Sequence, residues 1–159
     1  MASTITAATL TVKVTETISL NGTAHGASNT KTFSSINEIS KRILTITTNE
    51  STIATFSGAV ASSGHYNDSF VRYIRFTNLD DTYFITLTFR NQDNDEAAIK
   101  LDAGQSFIWN GDNSNGMTSV FNATQDADAA SSTNFGSLTN IQADADTGSC
   151  DLEMFIASA

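Results

Sequence analysis

The sequence predicts an all-β fold, a single-domain antiparallel β-sandwich or jelly roll of about ten strands. Three observations predict it. Apolar residues recur at every second position over long stretches, which is the period of a strand with one buried face. Turn-forming clusters interrupt these runs roughly every ten residues. Threonine contributes 23 residues and proline none, a composition that suits pleated strands whose backbone N–H groups are needed in ladders. At 159 residues the chain is long enough for one core, burying roughly 68–70% of the surface its unfolded form would expose.

Residues 1–8 are small and polar and read as a flexible arm ahead of a domain spanning 9–159. A long strand follows, with Leu10, Val12, Val14, Ile18 and Leu20 on one parity and Thr11, Lys13, Thr15, Thr17 and Ser19 on the other. Asn21-Gly22 closes it, a pair that tolerates the positive φ of a tight hairpin turn. Glu16 interrupts the apolar face, so the strand either bulges there or leaves the core at its middle. Thr23–Ser35 is less regular and contains a short strand near Thr32. In INEISKRI, Ile36, Ile39 and Ile43 have helical spacing and Glu38 with Arg42 an i,i+4 pairing. The expectation is a turn or single helical turn, then a strand over Arg42–Thr48.

Asn49-Glu50 is a turn into a strand over Thr52–Phe56, and Ser57–Asp68 is a long Gly/Ser-rich loop. Phe70–Trp109 then reads as four regular strands, with turns at Asn78–Thr82, Asn91–Asp95 and Asp102–Gly104. In it Phe70, Ile74 and Phe76 share one parity, and Tyr83, Ile85, Leu87 and Phe89 another. Asn110–Gly116 and Gln125–Gly136 are polar and aperiodic, with a short strand over Met117–Phe121 between them. Two strands close the chain, Leu138–Ala143 and Cys150–Ile156; in the second Cys150, Leu152, Met154 and Ile156 face in.

Net charge is −9, placed unevenly: residues 1–79 hold six Lys/Arg against four Asp/Glu, and residues 80–159 two against thirteen. An acidic chain without a basic cluster is a poor match to nucleic acid, whose binding depends on phosphate neutralisation. There is no apolar run of membrane-spanning length, and MASTITAATL has neither the basic nor the apolar region of a signal peptide. Synthesis in a cytoplasm is the expectation.

The search for chemistry yields little. His25 and His65 stand in different loops, and Cys150 occupies an inward strand position, so no zinc-ligand spacing arises. Serines and aspartates are plentiful enough for a Ser-His-Asp arrangement, but no G-x-S-x-G elbow exists. Three acidic clusters offer calcium-type oxygens: Asp93 to Glu96, Asp126 with Asp128, and Asp144 with Asp146. The first resembles part of a calcium loop but lacks the glycine and terminal glutamate of the EF-hand pattern, and all three read as solvated turns. Tyr66, Tyr83 and Trp109 are candidates for sugar stacking. No catalytic, cofactor or metal residue is assigned, and the chain is expected not to be an enzyme.

Val71–Asp80 (VRYIRFTNLD), Phe84–Phe89 (FITLTF), Ile99–Phe107 (IKLDAGQSF) and Cys150–Ala159 (CDLEMFIASA) together resemble small virion structural proteins of tailed bacteriophages, particularly those of cyanobacteria (cyanophages) and other aquatic bacteria. These are strand and turn patterns that cover about half the chain, not catalytic signatures. The resemblance implies a capsid decoration, or cement, protein. Such a protein sits on the capsid exterior of the virion, typically as a homotrimer, and bridges major capsid protein subunits without cofactor, nucleic acid or membrane. Candidate contact residues are the arm before Thr9, the Ser57–Asp68 loop, and Arg72 or Arg75 on the outward parity. The alternative is a tail, neck or fibre component acting as a host-surface or carbohydrate-binding adhesin.

Overall fold

The computed structural model describes residues 5–58, 64–111, 116–117 and 135–159. Two sheets face each other across one core. The first runs in the order β11-β8-β13-β5, from strands β5 (Glu38–Ile46), β8 (Val71–Asn78), β11 (Ser106–Asn110) and β13 (Cys150–Ser158). The second runs β10-β9-β12-β6-β7, from β6 (Ser51–Ser57), β7 (His65–Asn67), β9 (Ile85–Asn91), β10 (Glu96–Leu101) and β12 (Leu138–Ala145). Outside both stands a hairpin made of β1 (Ala8–Thr15) and β4 (Ser28–Ile36), tipped by β2 (Ser19–Leu20) and β3 (Thr23–Ala24). The all-β antiparallel sandwich expected from the sequence is what forms; among the described residues β6–β7 is the one parallel pair.

The pairing has a simple logic. The chain segment β5–β6 lies antiparallel to β12–β13, each strand meeting its partner in its own sheet. Likewise β8–β9 lies antiparallel to β10–β11. The β13–β8 and β12–β9 ladders then join these two double ribbons into one sandwich. The four strands of Phe70–Trp109 are therefore not a flat meander: β8 and β11 belong to one sheet, β9 and β10 to the other.

Alternation fills the space between the sheets. Cys150, Leu152, Met154 and Ile156 of β13 are buried against Ile74 and Phe76 of β8 and Ile85, Leu87 and Ile141 from the opposite sheet. Of the expected inward residues of the central stretch, Phe70 and Tyr83 are exposed because they precede their strands. Ile36–Ile43 contains no helical turn. β5 pairs with β13 over nine residues, from Glu38↔Ser158 to Cys150↔Ile46, and this ladder overrides the helical spacing. In that ladder Ile39 and Ile43 face outward and are exposed. β4 is also longer than the short strand expected near Thr32. Most of the expected Met117–Phe121 strand lies outside the described residues; Met117 itself is buried, its N–H donating to Asp68 O at 2.9 Å.

Two buried asparagines fix the turns around β9. Asn78 donates from Nδ2 to the carbonyls of Tyr83 (2.8 Å) and Leu101 (3.1 Å), while its Oδ1 accepts from the Asp80 N–H (3.0 Å). Asn91 donates to Phe135 O (2.6 Å) and accepts from the N–H groups of Asp93 (2.9 Å) and Asp95 (2.7 Å). Each satisfies backbone groups that no ladder reaches. Asn78→Ala strands two carbonyls in an apolar setting, so we expect a loss of about 2–4 kcal/mol in urea unfolding at neutral pH. A loss under about 0.5 kcal/mol means that the side chain is dispensable for the β8–β9 turn.

Candidate assembly surface

The β1–β4 hairpin has two chemically distinct faces. The Leu10↔Phe33, Val12↔Lys31 and Val14↔Asn29 pairs share one face; Thr11↔Thr32, Lys13↔Thr30 and Thr15↔Ser28 share the other. At its base the apolar face lies on the outer surface of the first sheet. Leu10, Val12, Phe33 and Ile36 pack there with Tyr73, Phe155 and Ala157 as a second core. Tyr73 stands between Phe33 and Phe155, with ring centroids 6.1 and 5.9 Å away. Burial there raises the Tyr73 phenol above its ordinary pKa. The joint with the body is irregular: Ser35 has φ 59°, beside a register shift between Ala8 and Leu10.

Beyond Val12 the hairpin leaves the body. Every residue from Lys13 to Thr32 is exposed, and Val14, Ile18 and Leu20 continue the apolar face into solvent. The strand thus departs the core near Glu16, one of the two outcomes its sequence allowed. At that point the Glu16 N–H still reaches Ala27 O at 2.9 Å. Gly26 permits this approach, since a Cβ on it would lie 2.3 Å from Glu16 O. Asn21 (φ 51°) and Gly22 (φ 80°) form the expected tight turn at the tip. An isolated two-stranded hairpin is marginal in water, and the distal half of this one has no packing against the sandwich beyond Val12.

The outer surface of the first sheet supplies a second exposed apolar region. Ile39 and Ile43 of β5 are 58% and 62% exposed and flank Lys41. Glu153 on β13 accepts from Lys41 Nζ at 2.9 Å and pairs with Arg75. Both cations hold the Glu153 carboxyl below its ordinary pKa, Lys41 contributing most. Among the described residues, six of the ten large exposed hydrophobics, Ile5, Val14, Ile18, Leu20, Ile39 and Ile43, fall within residues 5–43. The apolar surface is concentrated on the hairpin and the neighbouring sheet edge.

The other candidates are scattered. Arg72, expected to face outward, is buried on the parity of Ile74 and donates to Ser69 O at 2.9 Å. Arg75 does reach the outer surface, where Glu153 engages it. The Ser57–Asp68 loop includes β7, and its residues 59–63 lie outside the described ones, as do residues 1–4 of the arm and Asp126 with Asp128. His25 sits near the hairpin tip. His65 Nε2 lies 2.6 Å from Ser57 Oγ at the β6–β7 edge, and among the described residues no carboxylate is hydrogen-bonded to this imidazole. Asp93–Glu96 is an asparagine-directed turn, with Glu96 bound to Arg90 Nε at 2.8 Å. Asp144 and Asp146 bracket the end of β12. Among the described residues no group of three or more His, Cys, Asp or Glu converges as metal ligands.

Cys150 is buried, and burial with nearby Asp80, Asp146 and Asp151 raises its thiol pKa, away from nucleophile chemistry. Trp109 is 8% exposed and meets Phe89 edge-on at 5.2 Å. Tyr66 is 2% exposed, its hydroxyl 2.9 Å from Ser40 Oγ. Of the three aromatics considered for sugar stacking, only Tyr83 presents much surface. The sequence leaves open which part of the hairpin's apolar face is covered, because an alternating apolar strand reads the same whether that face is packed or exposed. Comparison with protein-family models, curated proteins and solved structures finds no match to this chain.

Two outcomes follow from this geometry. Replacing residues 15–28 by an Asn-Gly turn removes no buried contact, so the unfolding free energy of the body should change by less than about 1 kcal/mol; a larger loss means that the distal hairpin supports the core. Glu153 is stabilised as its anion, so its contribution is present above the ordinary glutamate range near pH 4.3 and is lost as pH falls through the depressed folded value. Glu153→Gln should flatten the fall in urea midpoint between about pH 5 and 3. An unchanged pH profile rules this linkage out.

Proposed function

We propose that the chain is a non-enzymatic virion structural protein of the tailed-phage type, a capsid decoration protein that binds as a homo-oligomer, in the resemblance a trimer, and bridges major capsid protein subunits on the capsid exterior. The observation that carries the reading is the projecting hairpin. A well-packed sandwich extends twenty consecutive exposed residues, Lys13–Thr32, that contribute nothing to its own core and bear an apolar face. Such an arm gains its stability from a neighbouring molecule, as a part made for assembly does. The nested order of the two double ribbons supports the jelly-roll form that the resemblance implies. A cement protein functions by cohesion: several weak contacts from one oligomer span the joints between subunits, and linked contacts hold far better than single ones.

The adhesin alternative rests on Tyr66, Tyr83 and Trp109, and the burial of Tyr66 and Trp109 leaves no stacking platform of the three. To test the capsid reading, density-gradient-purified particles from the source phage are analysed by mass spectrometry and cryo-EM. The protein should be present in many copies over the head lattice, and particles lacking it should lose DNA at lower temperature. Absence from particles, or density confined to the tail, overturns the reading.

A further inference from the structure

We propose that the cleft between the free edges of β5 and β6 binds a small hydroxylated carboxylate of the sugar-acid class, with Arg42 recognising the carboxylate. Arg42 shares the inward parity of β5 with Leu44 and Ile46 and stands opposite Met154, which is fully buried. The other three arginines are engaged: Arg75 by Glu153, Arg90 by Glu96, and Arg72 by Ser69 O. Among the described residues Arg42 has neither an ion pair nor a side-chain hydrogen bond. Its five N–H donors are left for whatever enters the cleft. The cleft holds about 500 Å³, within the range of about 300–1,000 Å³ usual for small-molecule sites. Both flanking strands are sheet edges at this point. β5 has β13 on one side only, and β7 pairs with β6 only at Thr55, Phe56 and Ser57, leaving residues 51–54 with β12 alone. Gly64 (φ 75°) lines the cleft as well; a Cβ there would lie 3.5 Å from Arg42 Nη1. The absent side chain leaves that side of the guanidinium open.

The lining selects the ligand. A guanidinium is a planar fork that matches two oxygens of a carboxylate or a phosphate. Arg42 is the one cation lining the cleft, in a chain of net charge −9. A dianionic phosphate is ordinarily met by more positive charge or a nest of backbone N–H groups, so a single negative charge fits better. Ser51, Thr52 and Thr55 also line the cleft. Among the described residues their hydroxyls make no hydrogen bond, and a hydroxyl both donates and accepts. Together with the unpaired backbone groups of the two edges, they suit a ligand that carries hydroxyls of its own. Ile53 adds an apolar patch: it is the extra residue of β6 where Ala54 and Thr52 pair with consecutive Ile141 and Gln142. Bulges of this kind re-aim residues beside binding sites. No described aromatic ring lines the cleft, so recognition rests on charge and hydrogen bonds, unlike the stacking considered for Tyr66, Tyr83 and Trp109.

This inference goes beyond the assembly reading and does not rest on it. The purified chain is titrated with glucuronate, glucose, acetate and glucose 6-phosphate to about 20 mM and followed by amide NMR, a range set by the weak affinity of a one-charge site. Glucuronate should shift the amides of residues 42–46, 51–55 and 64 saturably. Glucose lacks the carboxylate and acetate lacks the hydroxyls, so each should bind at least about ten-fold more weakly. Arg42→Gln should keep the wild-type circular dichroism and thermal midpoint and lose about ten-fold or more in glucuronate affinity. Arg42→Lys keeps the charge without the fork and should fall between the two. The wild-type shift map and the glucose arm decide the matter even where a variant misfolds. No saturable shift by about 20 mM overturns the proposal and leaves Arg42 as an inward charge that deters edge pairing of β5. Shifts confined to another surface, or unchanged binding by folded Arg42→Gln, overturn it as well. Acetate binding as tightly as glucuronate assigns the cleft to any carboxylate, an acidic side chain of a partner included, and overturns the sugar-acid class. Tighter binding of glucose 6-phosphate than of glucuronate overturns that class in favour of phosphates.

Discussion

The molecule depends most on backbone hydrogen bonding along both edges of β13. This last strand pairs with β5 on one side and β8 on the other, so sheet one is two separate halves until it is in place. Its Cα partners are 104 to 120 residues away on β5, from Cys150↔Ile46 to Ser158↔Glu38. Contacts of such sequence separation are closed at a cost in chain entropy and late in folding. The alternation Cys150, Leu152, Met154, Ile156 offsets that cost, since a register slip of one residue would turn all four into water and Asp151 and Glu153 into the core.

The same strand links the core to the hairpin. Its inner parity fills the space between the sheets, and on its outer parity Phe155 and Ala157 form part of the floor on which the hairpin base rests. The hairpin is therefore anchored to the most constrained strand of the body through Tyr73 and Phe155. Ser35 and the register shift beside it lie at the junction between hairpin and body.

Much of this was legible in the residues. The strands of Phe70–Trp109, the closing pair of strands, the Asn21-Gly22 turn and the inward face of β13 all follow from period-two alternation and turn chemistry. The helical spacing of Ile36, Ile39 and Ile43 misled, because three isoleucines at i, i+3 and i+7 describe a helix face as well as they describe one inward and two outward strand residues. Arg72 was misplaced because it shares the parity of Ile74 and Phe76, which turn into the core, whereas Arg75 shares the opposite parity with Tyr73.

By itself the sequence determined that the fold is all-β, where its hairpins turn, and which residues fill the space between the sheets, because these are local consequences of side-chain alternation and of φ-permissive turn residues. Only the tertiary structure decided which strands share a sheet, that β13 lies at the centre of one, and that the apolar parity of residues 10–20 divides at Val12 into a half packed on its own body and a half exposed to solvent. Alternation records that a strand face seeks apolar contact. Whether that contact lies within the chain or beyond it depends on distant segments meeting in space.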